Sequence, residues 1–396
     1  FISEIDLTYS SFQDSNTVYS TLGKLYLKDT YFEGKGGIVN WSKLGLPQDD
    51  VYVELKDYGA SLNRAVLYAD SVEFTNKEYF SHKLQGSFED RCRDKNAKQR
   101  QLYPMFVSYQ KEEIIKNLYP DVDYVGGFTQ QGGTILGTGD VVTPAQLRFY
   151  KNGKLYVKAS AVEHPFSRDG IITKDCQVTI YTNNDSIFHP STKMNFNKST
   201  RQLFFSDYKE GISASPWVDS YHCVDIYTEA VYANLDDLNI EFRAIKGPKR
   251  DAFAVIESNN YFSEDKWSEL QGIESVNPLY RVKQFTDAYN KDEFTVKQFA
   301  NFIKLDEVQA KMMLMNLALN GFIIYESYRE TAIVKQKLYD YILSKTKNIR
   351  IITEYVKDKI DLDFEKINAV CASIKECVDM GVQVGLVIGG GNFWRG

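Results

Sequence analysis

A mainly β protein with a smaller α+β C-terminal part is what this 396-residue sequence predicts. Three observations carry that expectation. Aromatic residues are abundant, with 27 Tyr and 24 Phe against 9 Pro, in a chain also rich in Asn, Thr and Ser; this composition suits half-exposed strands. Short runs alternate apolar and polar residues between glycine turns as far as about residue 280. From residue 282 onward the apolar period becomes helical.

Taken in order, Gly23-Lys24-Leu25-Tyr26-Leu27-Lys28 alternates and then turns through Glu33-Gly34-Lys35-Gly36-Gly37. Val51 to Leu55 and Val66 to Phe74 alternate again, with acids at their margins. Two of these phrases are echoed later, at Gly153-Lys154-Leu155-Tyr156-Val157-Lys158 and at Ile180-Tyr181 with Asp185-Ser186-Ile187-Phe188. Recurrent short strands with glycine turns predict stacked β-coils or a sandwich over residues 1–280, with a possible subdivision near 94–112. Glu89 to Arg100 is dense in charge and reads as an exposed loop. Lys111 to Leu118 reads as a short helix ended by Tyr119-Pro120. Gly126 to Gly139 holds six glycines but lacks the Lys-Ser/Thr pair and helix of a phosphate loop, so hairpin turns are expected there.

Residues 281–350 predict a winged-helix-like module. Thr295 caps a helix carrying Phe299, Phe302 and Ile303, and Asp306 starts a second with Val308, Met312, Met315, Leu317 and Leu319. Asn320-Gly321 closes it, and Phe322 to Tyr325 with Thr331 to Val334 form a hairpin. Such modules often bind DNA. Residues 294–343, however, hold six Lys/Arg and five Asp/Glu, too balanced for a duplex, and the Met-rich helix reads as core. A net charge of −6 and a pI near 5.5 argue the same way, so no nucleic-acid partner is expected.

Candidate chemistry is sparse. Ser213, Ser215, Asp219 and His222 lie within ten residues, but no Gly-x-Ser-x-Gly turn accompanies them, and a turn at Ser215-Pro216 leading to a strand from Ser220 to Ala233 is the preferred reading. Asp121, Asp123 and Asp236-Asp237 read as solvated turn acids, because no twelve-residue calcium loop surrounds them. Cys92, Cys176, Cys223, Cys371 and Cys377 are odd in number and unpaired by motif, which predicts buried thiols and neither zinc nor disulfides. No catalytic residue, metal or cofactor is expected. No apolar run of 18 residues is present to span a membrane as a helix. A chain opening on Phe1 without a signal peptide reads as a fragment or a processed product.

The most specific motif stands at the C-terminus. Ile367, Val370, Cys371, Ile374 and Val378 predict an amphipathic helix over 362–380, Gly381 a C-cap, and Val382 to Ile388 a buried strand. Gly389-Gly390-Gly391 followed by Arg395 then has the make-up of a phosphate cradle. With Lys375 to Val384, this stretch resembles the early part of bacterial uridylate kinase, of the amino-acid kinase family. The resemblance covers residues 360–396 and implies UMP and ATP binding at Gly390, Gly391 and Arg395. The family's first Lys-Leu-Ser-Gly phosphate turn is absent upstream of Ile360, and its ATP-binding half has no counterpart in this chain. An incomplete α/β unit and no phosphoryl transfer follow, from a fusion, truncation or cloning scar.

A second and weaker resemblance covers residues 20–345, on phrases such as Val39-Asn40-Trp41, Gly45-Leu46-Pro47, Asn117 to Tyr124 and Asp219-Ser220-Tyr221-His222. These resemble a large exported protein of the Bacteroidota with no assigned activity, which implies an extracytoplasmic scaffold for residues 1–350. The functional expectation is a non-enzymatic structural or interaction module with protein or cell-envelope partners. The alternative is a UMP-kinase-related protein, with ATP and UMP as ligands only if the C-terminal motif works.

Overall fold

The computed structural model of the chain describes residues 3–11, 14–92, 102–182, 185–207, 214–237, 239–243, 254–259, 261–272 and 275–347, together with Ala372, Lys375 and Asp379. The chain divides into two compact units, Phe1–Arg350 and Ile351–Gly396. In the second, Ala372, Lys375 and Asp379 are helical and exposed, and all three fall within the helix predicted for 362–380. The predicted strand Val382 to Ile388 and the glycine turn lie outside the described residues.

In the first unit, 23 strands between Ile5 and Ser258 join one hydrogen-bonded sheet in which every pairing is antiparallel. Its long strands fork. Val66–Asn76 pairs with Asp57–Ser61 through its first residues and with Val51–Leu55 through its last. Val122–Gln131 runs between Glu113–Tyr119 and Ala145–Lys151, then between Thr134–Thr138 and Met105–Ser108. Each fork turns one strand from one leaf of the sheet into another, and the register shifts near several of these turns. Ser20, Asn117 and Asp175 take positive φ at three of the shifts. Asn152-Gly153, both at positive φ, makes the two-residue turn between Ala145–Lys151 and Lys154–Ala161.

Aromatic rings fill the space between the leaves. Phe74 stacks on Phe106 at 4.2 Å between centroids, and Trp41 meets Phe74 and Phe88 edge-on at 5.5 and 5.7 Å. All four rings are buried, and each pair contributes about 0.5–1.5 kcal/mol beyond the area it hides. The aromatic-rich composition is thus a core composition as much as a surface one.

The helices form a second core. They are α1 (Glu264–Gln271), α2 (Pro278–Tyr289), α3 (Val296–Ile303), α4 (Glu307–Leu319) and α5 (Gln336–Lys347). The strand Glu293–Thr295 pairs with Thr331–Val334, which pairs with Ile323–Glu326. From α2 to the hairpin, the order helix, strand, helix, helix, strand, strand is that of a winged helix. Thr295 and Gln298 close a capping box on α3, and the Asp306 carboxylate accepts from the Gln309 amide at 2.9 Å on α4.

Four sequence expectations are corrected. Lys111 to Leu118 is not a helix, because Glu113–Tyr119 is a strand whose Ile115 is buried while Ile114 faces solvent. A tight turn at Pro120-Asp121, with Asp121 at positive φ, folds it onto Val122–Gln131, and tertiary pairing overrides the local pattern. The strand expected from Ser220 to Ala233 is a turn followed by two strands, Val224–Tyr227 and Ala230–Asn234. Helices begin at Glu264, ahead of residue 282, with Ser263 accepting from the Lys266 amide as N-cap. The internal echo is not structural: Gly23 lies inside a strand under the Phe32 ring, whereas Gly153 lies in a turn.

Candidate functional site

Gly390, Gly391 and Arg395, the residues a uridylate-kinase resemblance would use for UMP and ATP, lie outside the described residues. The Ser/Asp/His constellation is described except for Ser213. His222 Nδ1 lies 2.7 Å from the Asp219 Oδ2 atom, and Asp219 is almost fully buried, so a carboxylate does stand behind an imidazole. Ser215 is not the nucleophile of this arrangement. Ser215 Oγ is buried with no hydrogen-bond partner, so it is out of reach of His222, and its carbonyl accepts from His189 Nε2 at 2.9 Å. Asp219 Oδ1 also accepts the amides of Tyr221 and His222 at 2.9 and 3.1 Å, and Cys223 closes the turn at positive φ. The carboxylate organises a tight turn.

The turn acids are not merely solvated. Arg201 donates from Nη2 to Asp121 and from Nε to Asp236, both at 3.0 Å, and from Nη1 to the Pro120 carbonyl at 3.1 Å. Asp123 accepts the Asn117 amide at 2.9 Å. Among the described residues no three His, Cys, Asp or Glu side chains converge to hold a metal. Cys92, Cys176 and Cys223 are free thiols; the first two are buried, as expected, but Cys223 is exposed in its turn. Two imidazoles are sealed in the β core. His164 lies 3.0 Å from the Ala145 carbonyl through Nε2 and 2.8 Å from the Thr173 hydroxyl through Nδ1. Burial pushes both His164 and His189 down to about 4.

The densest charge among the described residues joins the winged helix to the β body. Lys337 bridges Asp225 at 2.6 Å and Glu257 at 2.5 Å; Lys335 pairs with the other Asp225 oxygen, and Lys266 reaches both Glu257 oxygens at 2.8 and 3.0 Å. Asp225 and the Lys337 side chain are fully buried. Gly321, at positive φ just past α4, approaches so closely that a Cβ there would lie 2.5 Å from the Asp225 carboxylate. Burial lowers the Lys266 and Lys335 amines, and the neighbouring carboxylates oppose that shift.

The wing is also engaged. Between Ile323–Glu326 and Thr331–Val334, Tyr328 donates to the Asp175 carbonyl at 3.3 Å, and Arg329 donates to the carbonyls of Val141 and Val142 at 3.3 and 3.4 Å. Gln177 donates to Glu326 at 3.2 Å from the β side. In α4 the expected core stripe divides in two. Ala310, Leu314, Leu317 and Ala318 are buried, while Val308 and Met312 on the opposite face are 68% and 66% exposed, and half-buried Met315 packs against the helical core. The sequence reading merged these faces, although their helical angles separate them.

Comparison with known proteins adds a local likeness. No protein-family model and no solved structure matches the chain. Over 35 residues it is 49% identical to a uridylate kinase of Mycoplasmopsis synoviae (strain 53), a stretch covering 9% of this chain and 15% of that enzyme. That likeness fits the C-terminal resemblance. No helix among the described residues is long and apolar enough to cross a membrane.

Proposed function

We propose that the chain is a structural and protein-interaction module, in which a β body carries a winged helix turned from nucleic acid to protein contact. The observation that carries this reading is the double departure of the winged helix. A DNA-binding helix–turn–helix lays its second helix in the major groove and meets phosphates through cations. Here the wing is tied to the β body through Tyr328 and Arg329, and the outward face of α4 offers Val308 and Met312. Lys311, the one cation of α4, is paired with Glu330 at 2.6 Å. The resemblance of residues 20–345 to an exported Bacteroidota protein supports a setting outside the cytoplasm, with protein or envelope components as partners. The rival reading rests on the uridylate-kinase likeness of the tail, a local likeness of 35 residues that covers 15% of that enzyme.

Two measurements on the full chain test the proposal. Anisotropy of a labelled DNA duplex should stay unchanged at low salt, and no ADP should form from ATP and UMP. Duplex binding that weakens steeply with salt would overturn the protein-contact reading. Turnover abolished by Arg395→Ala would make the tail the working part.

A further inference from the structure

The charge cluster between the winged helix and the β body is uneven. Asp225 and Glu257 bring two carboxylates, and Lys266, Lys335 and Lys337 bring three amines. None of the five side chains is more than 17% exposed. Tyr227 and Tyr341 also face the cluster; burial raises the Tyr341 hydroxyl, and Glu264 beyond it is paired with Lys345. With every lysine and carboxylate in its usual ionised form, the site would bury an uncompensated positive charge, which a low dielectric strongly disfavours. Geometry picks out the amine that can relieve it. Lys337 touches both carboxylates, and Lys266 spans both oxygens of Glu257 at 2.8 and 3.0 Å. Lys335 meets a single oxygen of Asp225, whose other oxygen is held by Lys337.

We propose that this cluster is a proton-coupled joint: the winged helix closes on the β body with Lys335 as a free amine, and opening the joint takes up one proton. A neutral Lys335 still donates an N–H to Asp225, so the contact outlasts the charge. The apolar cores of the β body and of the helices are separate clusters, so polar contacts carry much of the joint. Burial is the largest influence on the Lys335 amine and lowers it, in keeping with this assignment. An opened joint returns Lys335 to water, where a lysine titrates near ~10.4. Between the lowered value and that one, the open form binds the extra proton. Closure therefore strengthens as pH rises and weakens as pH falls, by up to about tenfold per pH unit for one proton.

Two measurements on the full chain test this. Labelling the lysines with 13C at Cε reads protonation directly: one resonance should titrate well below the others and vanish in Lys335→Arg. Urea unfolding of the helical core between pH 7 and 9, followed by its far-UV helical signal, reads the coupling, because unfolding opens the joint as well. Lys335→Met leaves two amines for two carboxylates. It should therefore gain on the wild type as pH falls, by up to about tenfold in the unfolding constant per pH unit. The comparison cancels the thiols and tyrosines that also titrate there, since both chains carry them. A purely structural Lys335 would instead give the same difference between the two chains at every pH. That constant difference, or a Lys335 resonance titrating with the other lysines, would overturn the proposal. A low-titrating resonance that survives Lys335→Arg would move the free amine to Lys266 and overturn its assignment to Lys335. Should Lys335→Met fail to fold, the wild-type titration decides alone.

Discussion

Acidification should unfold the β body well before its carboxylates protonate, and His164 and His189 set the scale. Both imidazoles are buried and titrate near 4, whereas in an unfolded chain they titrate near ~6.5. Between those values the unfolded chain binds two protons that the folded chain refuses, so stability falls as pH falls. The contribution is complete above the unfolded value and is lost progressively towards 4. At pH 4.5 each histidine costs about 2.6 kcal/mol and the pair about 5 kcal/mol, a large fraction of the ~5–15 kcal/mol by which a domain is stable. The geometry explains the refusal at His189. Its Nε2 donates to the Ser215 carbonyl and its Nδ1 accepts the Ser191 amide at 3.2 Å, so a proton on Nδ1 would face another N–H. The assay is urea unfolding followed by near-UV circular dichroism at several pH values from 7 to 4.5. His164→Gln/His189→Asn should be less stable at pH 7 but show a much flatter slope across this window. A midpoint independent of pH, or a slope unchanged in the double variant, would refute the reasoning.

Three further outcomes follow from single contacts. Lys337→Met removes the bridge between Asp225 and Glu257 and should cost about 3–5 kcal/mol in thermal unfolding, because a buried carboxylate loses its central partner. Gly34→Ala places a Cβ about 2.0 Å from the Tyr58 ring, whose hydroxyl lies 2.8 Å from that of Thr21, and overpacking should cost ~1–3 kcal/mol by chemical denaturation. Ser215→Ala deletes a buried hydroxyl without a partner and should be neutral or stabilising by up to ~1 kcal/mol in Tm-derived stability, whereas a loss above that would reveal a partner.

The winged helix was legible because its signals are local. Thr295 with Gln298, Asp306 with Gln309, and the Asn320-Gly321 stop each act within one helical turn of the residues they organise. The mainly β character of the rest was legible from alternation, but individual elements were not wherever a distant strand decided the matter. Glu113–Tyr119 holds Ile114, Ile115 and Leu118 at spacings that suit a helix, and only pairing with Val122–Gln131 makes it a strand. The charge chain unites Asp225, Glu257, Lys266, Lys335 and Lys337, which no spacing rule connects. The two faces of α4 lay in plain view, yet a helix apolar on both sides presents no simple period from which to tell core from surface.

The forked strands make the β body nearly one-dimensional in its wiring. Among the described residues Val224 and Ser258 mark the longest reach along the chain of any backbone pairing between its strands, so the ladders join each strand only to near neighbours, while side chains such as Arg201 and Asp121 reach further. The backbone part of the stability in such a chain accumulates largely as a sum of adjacent terms, and a block of strands can be inserted or removed while its neighbours keep their ladder partners. The forks temper that modularity. A strand shared by two leaves cannot fray in one without loosening the other, so amide exchange in the Val66–Asn76 and Val122–Gln131 strands proceeds through openings that span both leaves together. A body wired in this way grows by whole forks and opens by whole forks.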